Sequence, residues 1–127
     1  MNGIYLTNRL EIIDQAKQYI FRQDINYELG EIITFKENDV WYIDSNKFFV
    51  INKSTIRYLF VENHLRGNGI GKELLRMAEN KIFEKNNSVK IVCKTEVKDF
   101  YINQGYEINK QFINYLNLIK WKPLSRK

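Results

Sequence analysis

The sequence is poor in the residues that cross-link, break or loosen a chain. Its 127 residues include one cysteine, one proline and six glycines. A lone Cys93 excludes an internal disulfide, which suits a reducing compartment. So few prolines and glycines leave little room for linkers. A chain of this length builds one hydrophobic core and is too short for two. We therefore expect residues 1–127 to form a single domain.

Long apolar runs are also missing. Nowhere do the roughly 18 consecutive apolar residues of a membrane span occur, and the first residues lack the charged region and apolar stretch of a secretory signal. His64 is the only histidine, and no metal ion is expected. These absences predict a cytoplasmic protein without a membrane partner.

The charge is unbalanced. A formal net charge of +5 and a sequence pI of about 9.3 favour anionic partners, which include nucleic acid, an acidic protein face and a phosphate-rich cofactor. Lysines and arginines are nevertheless scattered along the chain, and an ordinary solvated basic surface explains them as simply. Both explanations stay open.

The hydrophobic pattern predicts a mixed α/β domain. One helix is expected after Asn8, as far as Phe21, a second from Ile70, and a short third over Glu96–Gln104 that Gly105 ends. The predicted strands are Gly3–Leu6, Glu31–Phe35, Val40–Ile43, Lys47–Asn52, Ile56–Glu62, Val89–Thr95, Tyr106–Glu107 and Phe112–Trp121.

The helix from Ile70 has two distinct faces. Its polar residues are predicted to face solvent, and its apolar residues to face the core. The apolar set is Ile70, Leu74, Leu75, Ala78 and Ile82, and the polar set is Lys72, Glu73, Arg76, Glu79 and Lys81.

A strand, a glycine-rich turn and a helix over residues 56–85 form a candidate anion site, because the first amides of a helix have no intrahelical partner and its dipole favours negative charge. Two known phosphate loops do not fit. The dinucleotide fingerprint needs glycine where Lys72 stands, and the P-loop needs glycine at Arg66 and Ser or Thr at Glu73.

A third pattern does fit. The glycine turn, residues 66–71, matches the motif Arg/Gln-x-x-Gly-x-Gly/Ala, and Phe100–Glu107 is similar to the segment Leu-Tyr-Glu-Lys-Leu-Gly-Phe. With both motifs, the chain resembles the GNAT superfamily of N-acetyltransferases from Ile56 to Glu107. The resemblance implies a mixed α/β fold with a twisted, mainly antiparallel sheet, split near strands 56–62 and 89–95 and flanked by helices.

The resemblance also implies acetyl-CoA as cosubstrate. In relatives, amides of the glycine turn hold the pyrophosphate, and the strand before it pairs with the pantetheine arm. That strand also offers an N–H to the thioester oxygen, as an oxyanion hole does. The corresponding residues here are Arg66, Gly67, Asn68, Gly69, Ile70, Gly71 and Lys72 for the pyrophosphate, and Leu59, Phe60 and Val61 for the arm.

Two catalytic residues are carried over in the same way. Tyr101 falls on the tyrosine that protonates the departing thiolate, and a phenol of pKa about 10 suits that task. Glu62 is the candidate general base, with His64 as the alternative. A covalent acyl-enzyme on Cys93 is disfavoured, because its strand setting predicts a buried thiol. Lys94 departs from the asparagine that many members carry seven residues before the tyrosine.

The predicted function is acetyl transfer to a primary amine by direct attack in a ternary complex. The acceptor is a protein lysine, an amino terminus or a small neutral amine, because the net charge of the chain repels polycationic substrates. A homodimer is left open. Two alternatives remain: an acetyl-CoA sensor without turnover, and a nucleic-acid-binding module that uses the basic and aromatic residues of 110–122.

Four aromatic residues could line the acceptor cleft or pack in the core. They are Trp41, Tyr42, Phe49 and Tyr115.

Overall fold

The computed structural model describes the backbone of residues 4–7 and residues 36–44, 47–61, 67 and 69–123 in full. The predicted helix after Asn8 and the predicted strand over Glu31–Phe35 lie outside these ranges. The elements are β1 (Ile4–Thr7), β2 (Val40–Asp44), β3 (Lys47–Asn52), β4 (Thr55–Val61), α1 (Ile70–Phe83), β5 (Ser88–Lys94), a 3-10 turn (Thr95–Val97), α2 (Lys98–Ile102), β6 (Glu107–Gln111) and β7 (Tyr115–Trp121).

The described strands form one sheet in the order β1-β2-β3-β4-β5-β7-β6. Every neighbouring pair is antiparallel except β4 and β5, which run parallel. The predicted class, a mixed α/β fold with a mainly antiparallel sheet, is therefore confirmed. The predicted strand Lys47–Asn52 has the same first and last residues as β3. The predicted strand Phe112–Trp121 starts too early, because residues 112–114 turn between β6 and β7.

The sheet is split between β4 and β5. Their pairing is confined to Thr55 with Lys90 and Ile56 with Ile91. The register between β3 and β4 shifts at the same place and inserts Arg57 as one extra residue of β4. Such a β-bulge bends the strand that carries it, so β4 turns away from β5 directly after Ile56. The β4–β5 gap, between residues 57–61 and 92–94, is the result.

Arg57 is held by a buried carboxylate. Its Nη1 donates to Oδ2 of Asp39 over 2.5 Å, and Asp39 is fully buried. Asp39 also accepts hydrogen bonds from Nδ2 of Asn52 at 3.0 Å and from the backbone N–H of Lys36 at 2.7 Å. These bonds tie the bulge of β4 to the end of β3 and to the turn before β2.

The two faces of the sheet bury different side chains. α1 packs Leu74, Leu75, Ala78 and Ile82 against one face, where they join a single apolar cluster with β3, β4, β5 and β7. On the opposite face, the ring of Phe48 stacks with those of Trp41 and Phe60, each at 5.4 Å between centroids. Trp41, Tyr42 and Phe49 are all buried, as core packing requires, and Tyr115 alone of the four aromatic candidates is exposed.

The Asp39 carboxylate gives a test of this arrangement. Asp39→Ala removes one partner of a buried ion pair and should lower the free energy of unfolding by about 3–5 kcal/mol. Asp44→Ala is the matched control, because Asp44 pairs with Lys47 at 3.8 Å near the surface and should cost below about 1 kcal/mol. Urea denaturation of both variants measures the difference. Equal losses would mean that Asp39 does not anchor the bulge.

Candidate functional site

The glycine turn is shaped by left-handed backbone. Gly67 has φ 88° and Gly69 has φ 79°, a region that costs other residues roughly 1–2 kcal/mol. Apart from its chain neighbours, a Cβ built at either glycine would meet no atom of the described residues within 4 Å. Both positions therefore border open space, which is the space that an approaching phosphate group requires.

The first turn of α1 points its amides towards this space. Gly69 is the N-cap, and the first intrahelical bond runs from the N–H of Glu73 to the carbonyl of Gly69. The amides of Ile70, Gly71 and Lys72 precede that bond and have no intrahelical acceptor. With the positive end of the helix dipole, they form a site suited to an anion.

The β4–β5 gap lies between two strands that α1 packs against. A pocket of about 240 Å³ lies where the two strands part, lined by Thr55, Ile56, Arg57, Tyr58 and Val92. The next three residues of β4 lead from this pocket towards the glycine turn. Residues 59–61 pair with β3 on one side, and their ladder with β5 has already ended at Ile56.

Tyr101 approaches the same region from α2. Its ring is buried, with edge-to-face contacts to Phe100 at 5.0 Å and Tyr106 at 5.7 Å. Burial, and then the nearby thiol of Cys93, raises the pKa of Tyr101 above its usual range. Among the described residues its hydroxyl has no hydrogen-bond partner, so its proton is not committed to another group of this part of the chain.

Phe100 joins α2 to the start of α1. A Cβ at Gly71 would lie 3.6 Å from the ring of Phe100, which is ordinary van der Waals contact. The ring of Phe100 therefore lies against the first turn of α1 at Gly71. This contact brings the neighbouring Tyr101 close to the helix start.

A buried polar triad, formed by Glu79, Tyr106 and Lys120, lies beneath Tyr101. The Tyr106 hydroxyl donates to Glu79 at 2.8 Å and Lys120 Nζ donates to the same carboxylate at 3.0 Å. Burial and the charge of Glu79 raise the pKa of Tyr106 far above its usual range. Because the rings of Tyr106 and Tyr101 touch, the triad fixes the surface on which Tyr101 rests.

The prediction that Glu79 faces solvent is wrong, since its side chain is only 6% exposed. The spacing of Leu75, Glu79 and Ile82 puts all three on one stripe of the helix, which was the available signal. A second signal was Tyr106, where the GNAT motif has phenylalanine, because a buried tyrosine hydroxyl needs a partner.

The other predicted site residues fall into two groups. Glu62, His64, Arg66 and Asn68 lie outside the described residues, and their roles stay predictions. Cys93 is buried as expected, and burial raises its pKa, which keeps it a neutral thiol.

The described part of the chain contains no group of three His, Cys, Asp or Glu residues that could hold a metal ion. Within the same ranges, no helix is long and apolar enough to cross a membrane.

The sequence matches a family model that covers the glycine turn, the β4–β5 gap and Tyr101. Residues 15–108 match the family described as the acetyltransferase (GNAT) domain. Since this is well over half of the chain, the protein belongs to the GNAT acetyltransferase family. No curated protein sequence matches it.

Solved structures with the same fold have very different sequences. ElaA from Escherichia coli is 14% identical, with a TM-score of 0.66 over 94% of this chain and 99% of that one. The IAA acetyltransferase from Bacillus cereus is 16% identical, with a TM-score of 0.60 over 95% and 100%. The PaiA N-acetyltransferase from Thermoplasma acidophilum, in complex with coenzyme A, is 15% identical, with a TM-score of 0.57 over 90% and 80%. These likenesses establish the fold.

The two raised tyrosine pKa values predict alkaline instability. Above about pH 10 the unfolded chain loses its phenolic protons while Tyr101 and Tyr106 keep theirs, so stability falls as pH rises. The loss should approach about 1.4 kcal/mol per pH unit for each tyrosine. Tyr106→Phe should make the fall shallower, whereas Tyr115→Phe, at an exposed ring, should not. Urea denaturation from pH 8 to pH 11 measures this, and equal slopes in all three proteins would contradict it.

Proposed function

We propose that the protein is an N-acetyltransferase that moves the acetyl group of acetyl-CoA to a primary amine by direct attack. The observation that carries the proposal is the convergence of three features. The amide-lined start of α1, the β4–β5 gap and the phenol of Tyr101 all lie around one region of the molecule. Membership of the GNAT family and the coenzyme A bound to the PaiA relative support the same assignment.

The cosubstrate fits the shape and charge of this region. We assign its pyrophosphate to the glycine turn and to the amides as far as Lys72, where open space and helix-end N–H groups meet. The pantetheine arm runs along the backbone of Leu59, Phe60 and Val61 in the β4–β5 gap. Because β4 and β5 are neighbours in the sheet, an arm that enters the gap between them has backbone N–H and C=O groups of a strand on each side.

The reaction moves protons at the amine and at the leaving thiolate. An alkyl amine of pKa about 10.4 is almost wholly protonated at pH 7, so a base must take one proton before attack, and Glu62 is our candidate. The amine nitrogen then bonds to the thioester carbon and releases its second proton to water as the amide forms. An N–H of β4 stabilises the developing oxyanion, the carbon–sulfur bond breaks, and coenzyme A leaves as a thiolate.

Tyr101 is the candidate donor to that thiolate. Burial keeps its proton in place at every ordinary assay pH. The thiolate that forms beside it is destabilised by the same apolar surroundings, as the raised pKa of the neighbouring Cys93 thiol indicates. Burial thus raises the pKa of the phenol and of the thiol together. Proton transfer from Tyr101 to the thiolate is therefore less unfavourable than the pKa of Tyr101 alone implies. Solvent restores the phenol when the products leave.

Gly69→Ala tests the pyrophosphate site. The new Cβ projects into the open space over the turn, so coenzyme A should bind at least about tenfold more weakly, a loss of about 1.4 kcal/mol. Gly105→Ala is the matched control, since Gly105 has φ 95° and imposes similar backbone strain elsewhere. Calorimetry should show a loss of affinity in the first variant alone. Equal affinities would remove the pyrophosphate from the glycine turn.

Tyr101→Phe tests the proton donor. The change keeps the ring and its packing but removes the hydroxyl, so kcat should fall by a factor of about 10² to 10⁴. Acetyl-CoA affinity and melting temperature should change little. Tyr106→Phe removes a phenol of the same cluster whose hydroxyl donates to Glu79, and should lower kcat much less.

Two outcomes would change the assignment. Full activity in Tyr101→Phe would leave water to protonate the thiolate. If the wild type binds acetyl-CoA tightly but turns over no protein, peptide or small amine, the sensor becomes the better explanation.

A further inference from the structure

On one face of the sheet beside the β4–β5 gap, the described residues of β5, β6 and β7 carry exposed side chains. On β5, burial alternates: Val89, Ile91 and Cys93 face α1, and the residues between them point the other way. The register of β7 and β6 adds further residues to that second side. We call this surface the open face, formed by Lys90, Val92, Lys94, Lys110, Tyr115 and Trp121.

The open face exposes three large apolar or aromatic side chains. Val92 and Trp121 are each 59% exposed, and Tyr115 is 42% exposed. α1 packs against the opposite side of the same strands. Several large apolar side chains exposed together on one surface mark an interaction site more often than isolated ones do.

The face also carries uncompensated positive charge. Lys90, Lys94 and Lys110 are exposed, and none of them forms an ion pair with a described residue. Glu107, in register with Ile119, is the one acidic residue that the described strands place on this side. By contrast, Lys120 points to the α1 side, where it pairs with Glu79. The partner that complements the open face is therefore acidic and partly apolar.

We propose that the open face docks an acidic segment of a polypeptide, and that this polypeptide carries the acceptor amine. The second part rests on the proposed function. Val92 connects the two parts, because it lies at the centre of the open face and also lines the pocket where β4 and β5 part. A segment held on the face would thus extend an amine directly into the gap.

Three observations favour a polypeptide over nucleic acid or a second copy. All residues of β6, the last strand of the sheet order, are exposed, so an extended segment can lie along this edge. The rings of Phe112 and Tyr115 stack on each other with 4.5 Å between centroids. One face of each ring is therefore already covered and is not available for stacking with a nucleic-acid base. In a second copy, the excess lysines would face lysines.

Binding of labelled peptides tests docking without any catalysis. The probes are an acidic peptide of Glu and Leu with one Lys, a neutral version with Gln for Glu, and a single-stranded RNA. Fluorescence anisotropy with the full chain at low salt should show the acidic peptide binding most tightly. Lys90→Glu/Lys110→Glu should weaken it by about tenfold or more, and Trp121→Ala should also weaken it.

Lys53→Glu/Lys85→Glu is the matched control. It has the same net charge as the other double variant, but its exposed positions lie off the open face, so it should bind the peptide within about twofold of the wild type. Equal binding of the acidic and neutral peptides, or equal losses in both double variants, would overturn the proposal. Tighter binding of the RNA would assign the face to nucleic acid. A wild-type dimer that Lys90→Glu/Lys110→Glu dissociates would assign it to a second copy.

Acetylation of the same peptides separates this proposal from the proposed function. With acetyl-CoA, Lys90→Glu/Lys110→Glu should raise the KM for the acidic peptide by about tenfold while kcat changes little. Turnover without preference between acidic and neutral peptides would reject docking and keep the acetyltransferase. Peptide binding without any affinity for coenzyme A would reject the acetyltransferase and keep docking.

Discussion

The structure depends on the parting of β4 from β5. Two paired positions join these strands before the bulge at Arg57 turns β4 aside. The bulge is held by Asp39, a fully buried carboxylate that accepts three hydrogen bonds. A continuous ladder would close the sheet and leave neither a pocket beside Val92 nor a route from the open face to the glycine turn. One buried ion pair thus maintains the opening around which the site is arranged.

A second buried charge shapes the other side of the opening. Glu79, Tyr106 and Lys120 satisfy one another within the core, and the ring of Tyr106 supports Tyr101. Because an unpaired carboxylate in such surroundings is costly, these three residues hold one arrangement. Tyr101, the proposed proton donor, therefore rests on a rigid surface, while the glycine turn, the proposed pyrophosphate site, consists of backbone with open space above it. That division suits a site which positions a cosubstrate and moves one proton.

Features that depend on neighbouring residues could be predicted from the sequence. The bounds of β3, the start of α1 and the glycine turn all follow from local patterns, and the family motif pointed to the gap. Features that depend on distant pairings could not. β6 is exposed along its whole length, so it lacks the alternation of buried and exposed residues that marks a strand. The bulge in β4 arises from how β4 pairs with β3, which the sequence of β4 alone does not determine. The burial of Glu79 depends on a tyrosine and a lysine far along the chain, and the open face exists only through the order β5-β7-β6.

Hydrogen–deuterium exchange with and without acetyl-CoA tests the central claim most directly, because it reports on backbone amides one segment at a time. If the glycine turn and the β4–β5 gap hold one ligand, acetyl-CoA should slow exchange in residues 58–61 and 69–72 together. Exchange in β6 and β7 should not change. Slowing in β6 and β7 without any change in β4, or no change anywhere at saturating acetyl-CoA, would contradict the account.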